Sequence, residues 1–143
     1  MNRNEMKIEF GSDPRNESFA RVVVASFMTR TNPTLEEVAD VKTAVSGAVT
    51  NSIIHGYGQK EGTIEIRAYI EERKLYIEIT DYGCGIEDVE KAMEPMFTTG
   101  KDGRSGMGFS FMEAFMDELT VESEPGKGTT VKMAKKIGAG CAV

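Results

Sequence analysis

Two runs in the middle of the chain alternate apolar and polar residues with a period of two. The first run extends from Ile64 to Ile70 and the second from Leu75 to Ile79. Four polar residues at positions 71–74 separate them, so the chain is expected to reverse direction there. The pattern predicts an antiparallel hairpin with one buried face, and any fold for this chain must cover that face.

Helical periodicity precedes this hairpin. Apolar residues at helical spacing predict one helix over residues 14–30 and a second over residues 34–55. The second helix opens with a capping box in which Thr34 and Glu37 satisfy each other's free amides. Gly56 is expected to supply its C-terminal cap. The sequence therefore predicts two helices that can cover the buried face of the hairpin.

The remaining segments complete the predicted fold. Further strands are predicted over residues 7–10, 119–122 and 129–134, a short helix over 86–93, a loop over 94–105 and a third helix over 106–117. Grouped helices and paired strands indicate an α+β fold, a two-layer sandwich of a mostly antiparallel mixed sheet with helices on one face. We expect a single domain over residues 1–136 and a flexible tail over residues 137–143.

Composition excludes several functional classes. The chain has 143 residues and a formal net charge of −6, which argues against direct nucleic-acid binding. Its two cysteines, Cys84 and Cys141, are too few for a disulfide framework. The longest apolar stretch, residues 22–28, is too short to span a bilayer, and the N-terminus does not resemble a signal peptide. These features favour a cytoplasmic protein without a membrane partner.

A glycine-punctuated segment follows the predicted hairpin. Asp81 ends the second strand, and Gly83 and Gly85 follow it. An aspartate at this point can accept a hydrogen bond from an exocyclic amine such as N6 of adenine. Glycines let the backbone approach a flat ring closely. The alternative is a plain turn after a strand, which is the more common meaning of Asp-x-Gly by itself.

A second glycine segment leads into the third predicted helix. Its residues are Arg104, Ser105, Gly106, Met107 and Gly108. Free amides at a helix N-terminus suit a polyphosphate, and Arg104 would add charge-assisted contacts. A flexible helix cap is the equally common alternative. The segment is neither a P-loop nor a dinucleotide fingerprint, because Phe111 stands where the third glycine would be.

The second predicted helix carries Gly47, Asn51 and His55 on one flank, at intervals of four residues. Asn51 offers a neutral oxygen that can ligate Mg²⁺ while phosphates fill other positions. A solvated polar residue is the alternative for Asn51. For His55, the single histidine, favourable placement against the helix dipole is the preferred interpretation.

Taken together, these segments resemble the GHKL ATPase/kinase superfamily, which includes gyrase and the histidine-kinase ATP domains. The resemblance covers roughly residues 40–133. The matching motifs are the N box at Asn51, the first glycine box at Asp81, Gly83 and Gly85, the second glycine box at Gly106 and Gly108, and the threonine box at Gly128, Thr129 and Thr130. Each motif is weak alone, but their order and spacing agree.

Residues 16–21, 48–57 and 95–99 extend the resemblance to the anti-sigma-factor serine kinases of spore-forming bacilli. That family implies a homodimer that inhibits a sporulation sigma factor and uses ATP and Mg²⁺ to phosphorylate a serine of an anti-anti-sigma factor. It also implies that Asp81 selects adenine, Asn51 holds Mg²⁺, and residues 95–108 close over the phosphates. Thr129 and Thr130 would complete the adenine pocket. Arg21 is expected to contact a partner, with a solvated charge as the alternative.

Gly47 departs from the family pattern, which has a glutamate four residues before the asparagine. A carboxylate there would act as general base, a role worth roughly 10²–10⁴-fold in rate. Glycine supplies no such group and costs about 1 kcal/mol in a helix interior relative to alanine. A natural variant, an introduced substitution and a sequence error would all leave this pattern. We therefore expect this chain to bind Mg²⁺·ATP and a sigma factor but to phosphorylate slowly or not at all.

Other functions compete with this interpretation. A small GHKL ATPase would need a base to activate water, and Gly47 leaves that role empty as well. A protein-interaction module with a structural nucleotide (ATP or ADP) is favoured by Gly47. A histidine-kinase catalytic domain would need a phosphoacceptor histidine on a separate helix, whereas His55 ends the N-box helix.

Overall fold

The structure, a computed structural model, describes residues 4–58, 60–85 and 112–138. Its strands in chain order are β1 Asn4–Gly11, β2 Thr63–Glu71, β3 Lys74–Asp81, β4 Glu118–Glu124 and β5 Gly128–Lys136. Its helices are α1 Asn16–Met28 and α2 Leu35–Asn51, followed respectively by a 3-10 turn, Thr29–Thr31, and a π turn, Ser52–Tyr57. None of the helices in these three ranges combines the length and apolarity needed to cross a membrane.

Several predicted elements lie outside the described residues. These are the short helix over 86–93, the loop over 94–105 and the beginning of the third helix. The end of that third helix is described, since residues 112–115 are helical.

The strands form one sheet in the order β1-β2-β3-β5-β4, and every neighbouring pair is antiparallel. The predicted hairpin is confirmed, with Ile66 opposite Ile79. Its turn reverses through Glu72 and Arg73, whose φ angles are 50° and 65°. The mixed character expected for the sheet is absent from these four pairings.

Alternation along the strands separates the two faces of the sheet. The inner face packs against α1 and α2, and its fully buried side chains are Ile64, Ile66, Ala68, Leu75, Ile77 and Ile79. The helices contribute Ala20, Val24, Met28, Val41, Ala44, Val45, Ala48 and Val49 to the same core. The other face of the sheet, the open face, carries ion pairs such as Arg67 with Glu5, 2.9 Å apart. The predicted α+β sandwich with helices on one face is therefore confirmed.

The ends of the helices test the predicted caps. The capping box is confirmed, because the Glu37 amide donates to Thr34 Oγ1 at 3.0 Å and the Thr34 amide donates to the Glu37 carboxylate at 2.8 Å. The cap at Gly56 is wrong, because the helix widens into the π turn and continues through Tyr57. Gly58, with φ 62°, ends it instead.

The start of the predicted tail is part of the folded domain. Ile137 is fully buried, and its amide donates to the Arg73 carbonyl at 2.9 Å. The Gly138 amide donates to the Glu37 carboxylate at 3.1 Å, so this residue contacts the capping box of α2. The boundary predicted after residue 136 is therefore too early, because an apolar side chain at this point fills the core.

Replacing Ile137 with alanine is expected to lower the free energy of unfolding by about 2–5 kcal/mol, because a fully buried branched side chain leaves a cavity. Urea denaturation measures this change. Leu35→Ala is the matched control, since Leu35 is 90% exposed and its loss should cost about 0.5 kcal/mol or less. Equal losses in the two variants would contradict the docking of Ile137.

Candidate functional site

The register of the sheet places three polar residues in one row at the end of the inner face. Asp81 on β3 lies opposite Thr129 on β5, which lies opposite Ser123 on β4. Asp81 and Thr129 are only 2% and 5% exposed. Ser123 Oγ and Thr129 Oγ1 are 2.8 Å apart and share a hydrogen bond. One carboxylate and two hydroxyls therefore form the last row of an inner face that is otherwise apolar.

Asp81 is held by three hydrogen-bond donors. The Gly83 amide donates to Oδ1 at 3.0 Å, and the Ser52 side chain and the Thr129 amide also bond the carboxylate. Burial raises the pKa of Asp81 above its ordinary value of 3.8, although these three bonds oppose the rise.

The glycine box is packed between the end of the N-box helix and the β4–β5 turn. A Cβ on Gly83 would lie 2.0 Å from the Gly56 carbonyl oxygen. Gly85 has φ 76°, and a Cβ there would lie 2.0 Å from the Glu124 carbonyl oxygen. Real Cβ atoms do not approach so closely, so both positions require glycine. The sequence predicted the glycines for approach to a ring, and the structure adds that they admit neighbouring backbone.

Asn51 reaches the same region from α2. It is the last residue of that helix and is 8% exposed, while Gly47 lies one turn earlier and is half-buried. Ser52, the next residue, bonds Asp81. The predicted N box and first glycine box therefore meet in space.

Other predicted site residues lie elsewhere. Thr130 points to the opposite face of the sheet, where its hydroxyl is 3.1 Å from that of Thr80. Arg21 is on α1, with its Nε 3.5 Å from a Glu17 carboxylate oxygen. The second glycine box and the rest of its segment, Arg104, Ser105, Gly106, Met107 and Gly108, lie outside the described residues.

Three residues at the site were not predicted from the sequence to belong to it. Ser52 bonds Asp81, Ser123 bonds Thr129, and Gly56 lies so close to Asp81 that a Cβ would be 2.8 Å from Oδ1. Ser52 had a visible signal, because it is a polar residue within the apolar stripe of the second helix. Ser123 and Gly56 had none, since their positions depend on the strand register and on helix packing.

Comparison with known proteins agrees with this arrangement. Residues 10–135 match the family described as the histidine kinase-like ATPase domain. The mycobacterial sensor histidine kinase MprB superposes with a TM-score of 0.57 over 92% of this chain and 97% of that chain. Its sequence identity is 16%, so this likeness concerns the fold alone.

Relatives found by sequence similarity have much higher identity to this chain than this structure does. The Anti-sigma F factor of Thermoanaerobacter sp. (strain X514) is 59% identical over 137 residues, which cover 95% of this chain and 96% of the relative. The Anti-sigma F factor of Caldanaerobacter subterraneus subsp. tengcongensis is 60% identical over 136 residues, which cover 94% and 95% respectively. With a GHKL-type fold and similarity along nearly its whole length, the chain belongs to the anti-sigma F factor family of histidine kinase-like ATPase domains.

Proposed function

We propose that this chain is an anti-sigma factor that binds and inhibits a sporulation sigma factor in the cytoplasm. In the same proposal it has the architecture of an ATP-dependent serine kinase for an anti-anti-sigma factor, with catalysis impaired by Gly47. The observation that carries the proposal is the buried Asp81, which packs against the end of the helix bearing Asn51. The identity of about 59% to Anti-sigma F factors supports the choice of partner.

The site fits an adenine nucleotide. The Asp81 carboxylate would accept from the N6 amine, and Thr129 lies opposite Asp81, bonded to Ser123. Asn51 would be the protein ligand of Mg²⁺, with nucleotide phosphates as further ligands. The segment from Arg104 to Gly108 would bind the phosphates. Thr130 is not part of the proposed pocket, because its hydroxyl contacts that of Thr80 on the opposite face of the sheet. When bound, Mg²⁺·ATP supplies the phosphoryl group to be transferred.

The proposed catalytic site lacks its general base. The missing carboxylate at Gly47 would have taken the proton from the attacking serine hydroxyl. Binding depends on Asp81 and Asn51, which are retained, so we propose nucleotide binding with slow transfer. A protein-interaction module without turnover is the second candidate, and Gly47 favours it. If ADP and ATP change sigma-factor affinity to different extents after Gly47→Glu, the kinase architecture is supported; equal effects favour the module.

Helix α1 offers the surface proposed for the protein partner. Arg21 lies on the side of α1 that carries Glu17, whereas Phe19 and Val22 of the same helix are 51% and 56% exposed. The Glu17 carboxylate accepts a hydrogen bond from the Ser46 hydroxyl and forms an ion pair with the Arg21 guanidinium. Arginine is enriched among the residues that contribute most to protein contacts, and exposed apolar side chains on the same helix add contact area. The homodimer is proposed from the resemblance to the family.

Binding of the purified sigma factor tests this function. We expect wild type to bind the sigma factor in the presence of ADP or ATP. Arg21→Glu should weaken this binding at least about tenfold, since interface arginines often contribute about 1.4 kcal/mol or more. Arg67→Glu, on the open face of the sheet, is the charge-matched control and should bind normally. Failure of wild type to bind would overturn the proposal, and equal loss in both variants would remove Arg21 from the interface. Sedimentation equilibrium on the same samples tests the dimer.

The raised pKa of Asp81 predicts a pH dependence. Because folding raises this pKa, protonation favours the folded state; the contribution is complete below pH 3.8 and is lost as the pH rises through the folded pKa. The ionised form is the stronger acceptor for the N6 amine. As the pH falls from neutral, the preference for ADP over inosine diphosphate (IDP), which lacks the amine, should decline at a higher pH than for an ordinary aspartate. Calorimetric titrations measure it, and a constant preference down to pH 3.8 would contradict it.

A further inference from the structure

Tyr57, the last residue of the π turn, bridges two strands with its hydroxyl. The hydroxyl donates to the Thr63 carbonyl oxygen at 2.5 Å and accepts from the Tyr82 amide at 2.7 Å. Gly62 lies against the ring, and a Cβ there would be 2.2 Å from Cε1. These contacts fix both the ring and its hydroxyl.

The bridge replaces the next step of the β2–β3 ladder. In the register of this pair Ile64 lies opposite Asp81, so Thr63 would lie opposite Tyr82. The groups that a continued ladder would bring together are instead joined through the tyrosine oxygen. The strands therefore separate just after Asp81, and the peptide bond that follows Asp81 is held by Tyr57.

The same π turn holds the glycine box at two other points. The Gly56 carbonyl accepts from the Cys84 amide at 2.8 Å, and Ser52 bonds the Asp81 carboxylate. The turn follows directly after Asn51. One short segment therefore links the proposed Mg²⁺ ligand to the proposed base-recognition carboxylate. π turns of this kind are often found at functional sites.

We propose that Tyr57 is a positioning residue for base recognition: its hydroxyl sets the backbone after Asp81 and thereby the selectivity for adenine. This inference rests on the proposed nucleotide-binding function and names a residue that contributes to selectivity at that site. Tyr57 acts through Asp81 and need not touch the base. Its loss should therefore affect a nucleotide that uses the Asp81 contact more than one that does not.

The test compares calorimetric affinities for ADP and IDP in wild type, Tyr57→Phe and Tyr76→Phe. Without the hydroxyl the backbone after Asp81 is no longer fixed, so ADP binding should weaken by roughly tenfold. IDP binding should weaken less, so the ADP/IDP preference falls. Tyr76→Phe is the control, because Tyr76 stacks on Tyr69 on the open face, 4.5 Å between ring centroids, and both affinities should stay unchanged.

An unchanged ADP/IDP preference in Tyr57→Phe, or equal weakening of both nucleotides, would overturn the role of Tyr57 while leaving nucleotide binding intact. Failure of wild type to bind ADP would contradict the proposed function itself, and the inference with it. Thermal melts monitor folding of each variant. Should Tyr57→Phe not fold, Gly62→Ala decides the question, because its Cβ displaces the ring and keeps the hydroxyl, and the same fall in preference is expected.

Discussion

Gly47→Glu is expected to raise the rate of phosphate transfer from ATP to the anti-anti-sigma factor by roughly 10²–10⁴-fold, the usual contribution of a general base. Gly47 lies on α2 one turn before Asn51, so the new carboxylate would extend from the same helix as the proposed Mg²⁺ ligand. Transfer of labelled phosphate by the two forms side by side measures the effect.

Gly47→Gln is the matched control for this experiment. Glutamine has nearly the length of glutamate and the same benefit over glycine in a helix interior, but its amide cannot take a proton. We expect it to transfer phosphate as slowly as wild type, whereas sigma-factor and ADP affinities stay similar in all three forms. A rise in transfer with Gln would show that helix stiffness limits the reaction, contrary to the proposal.

Equal transfer by the glycine and glutamate forms would assign the base role to another group. Glu17 would then be the next residue to replace, because its carboxylate accepts the hydroxyl of Ser46, the neighbour of Gly47. Some residual transfer by wild type agrees with the proposal, since phosphoryl transfer depends largely on positioning and charge stabilisation.

Asp81→Asn is expected to weaken ADP binding by about 10- to 150-fold, the range for loss of a hydrogen bond to a charged group. Asp81 is 2% exposed, so water does not readily replace the lost carboxylate contact. An asparagine amide can donate to the oxygen of hypoxanthine, so the variant should also bind IDP better than wild type does. Calorimetric titration with both nucleotides measures this exchange of preference.

Glu78→Gln provides the control for the lost charge. Glu78 lies on β3 three residues before Asp81 but on the open face of the sheet, so its neutralisation changes net charge without touching the site. Its ADP and IDP affinities should equal those of wild type. If Asp81→Asn lowers the affinities for ADP and IDP by the same factor, Asp81 supports the fold of the site and does not recognise the base.

Much of the fold was predictable because it is encoded locally. The period of two across the hairpin and the capping box of Thr34 and Glu37 each depend on residues close in sequence, and the structure confirms both. The order of the N box and glycine boxes likewise predicted the fold family. Gly47 was readable as a departure for the same reason, since it is defined by its spacing from Asn51.

The details that complete the site depend on contacts between distant segments. Antiparallel register gave Asp81 the neighbours Thr129 and Ser123 and sent Thr130 to the opposite face. Packing buried Ile137, which the sequence alone assigned to a flexible tail. Alternation and spacing determine which residues share a face of one element. Which elements meet, and at what register, is decided only when the whole core packs, and this is why the bridge made by Tyr57 became visible only in the tertiary structure.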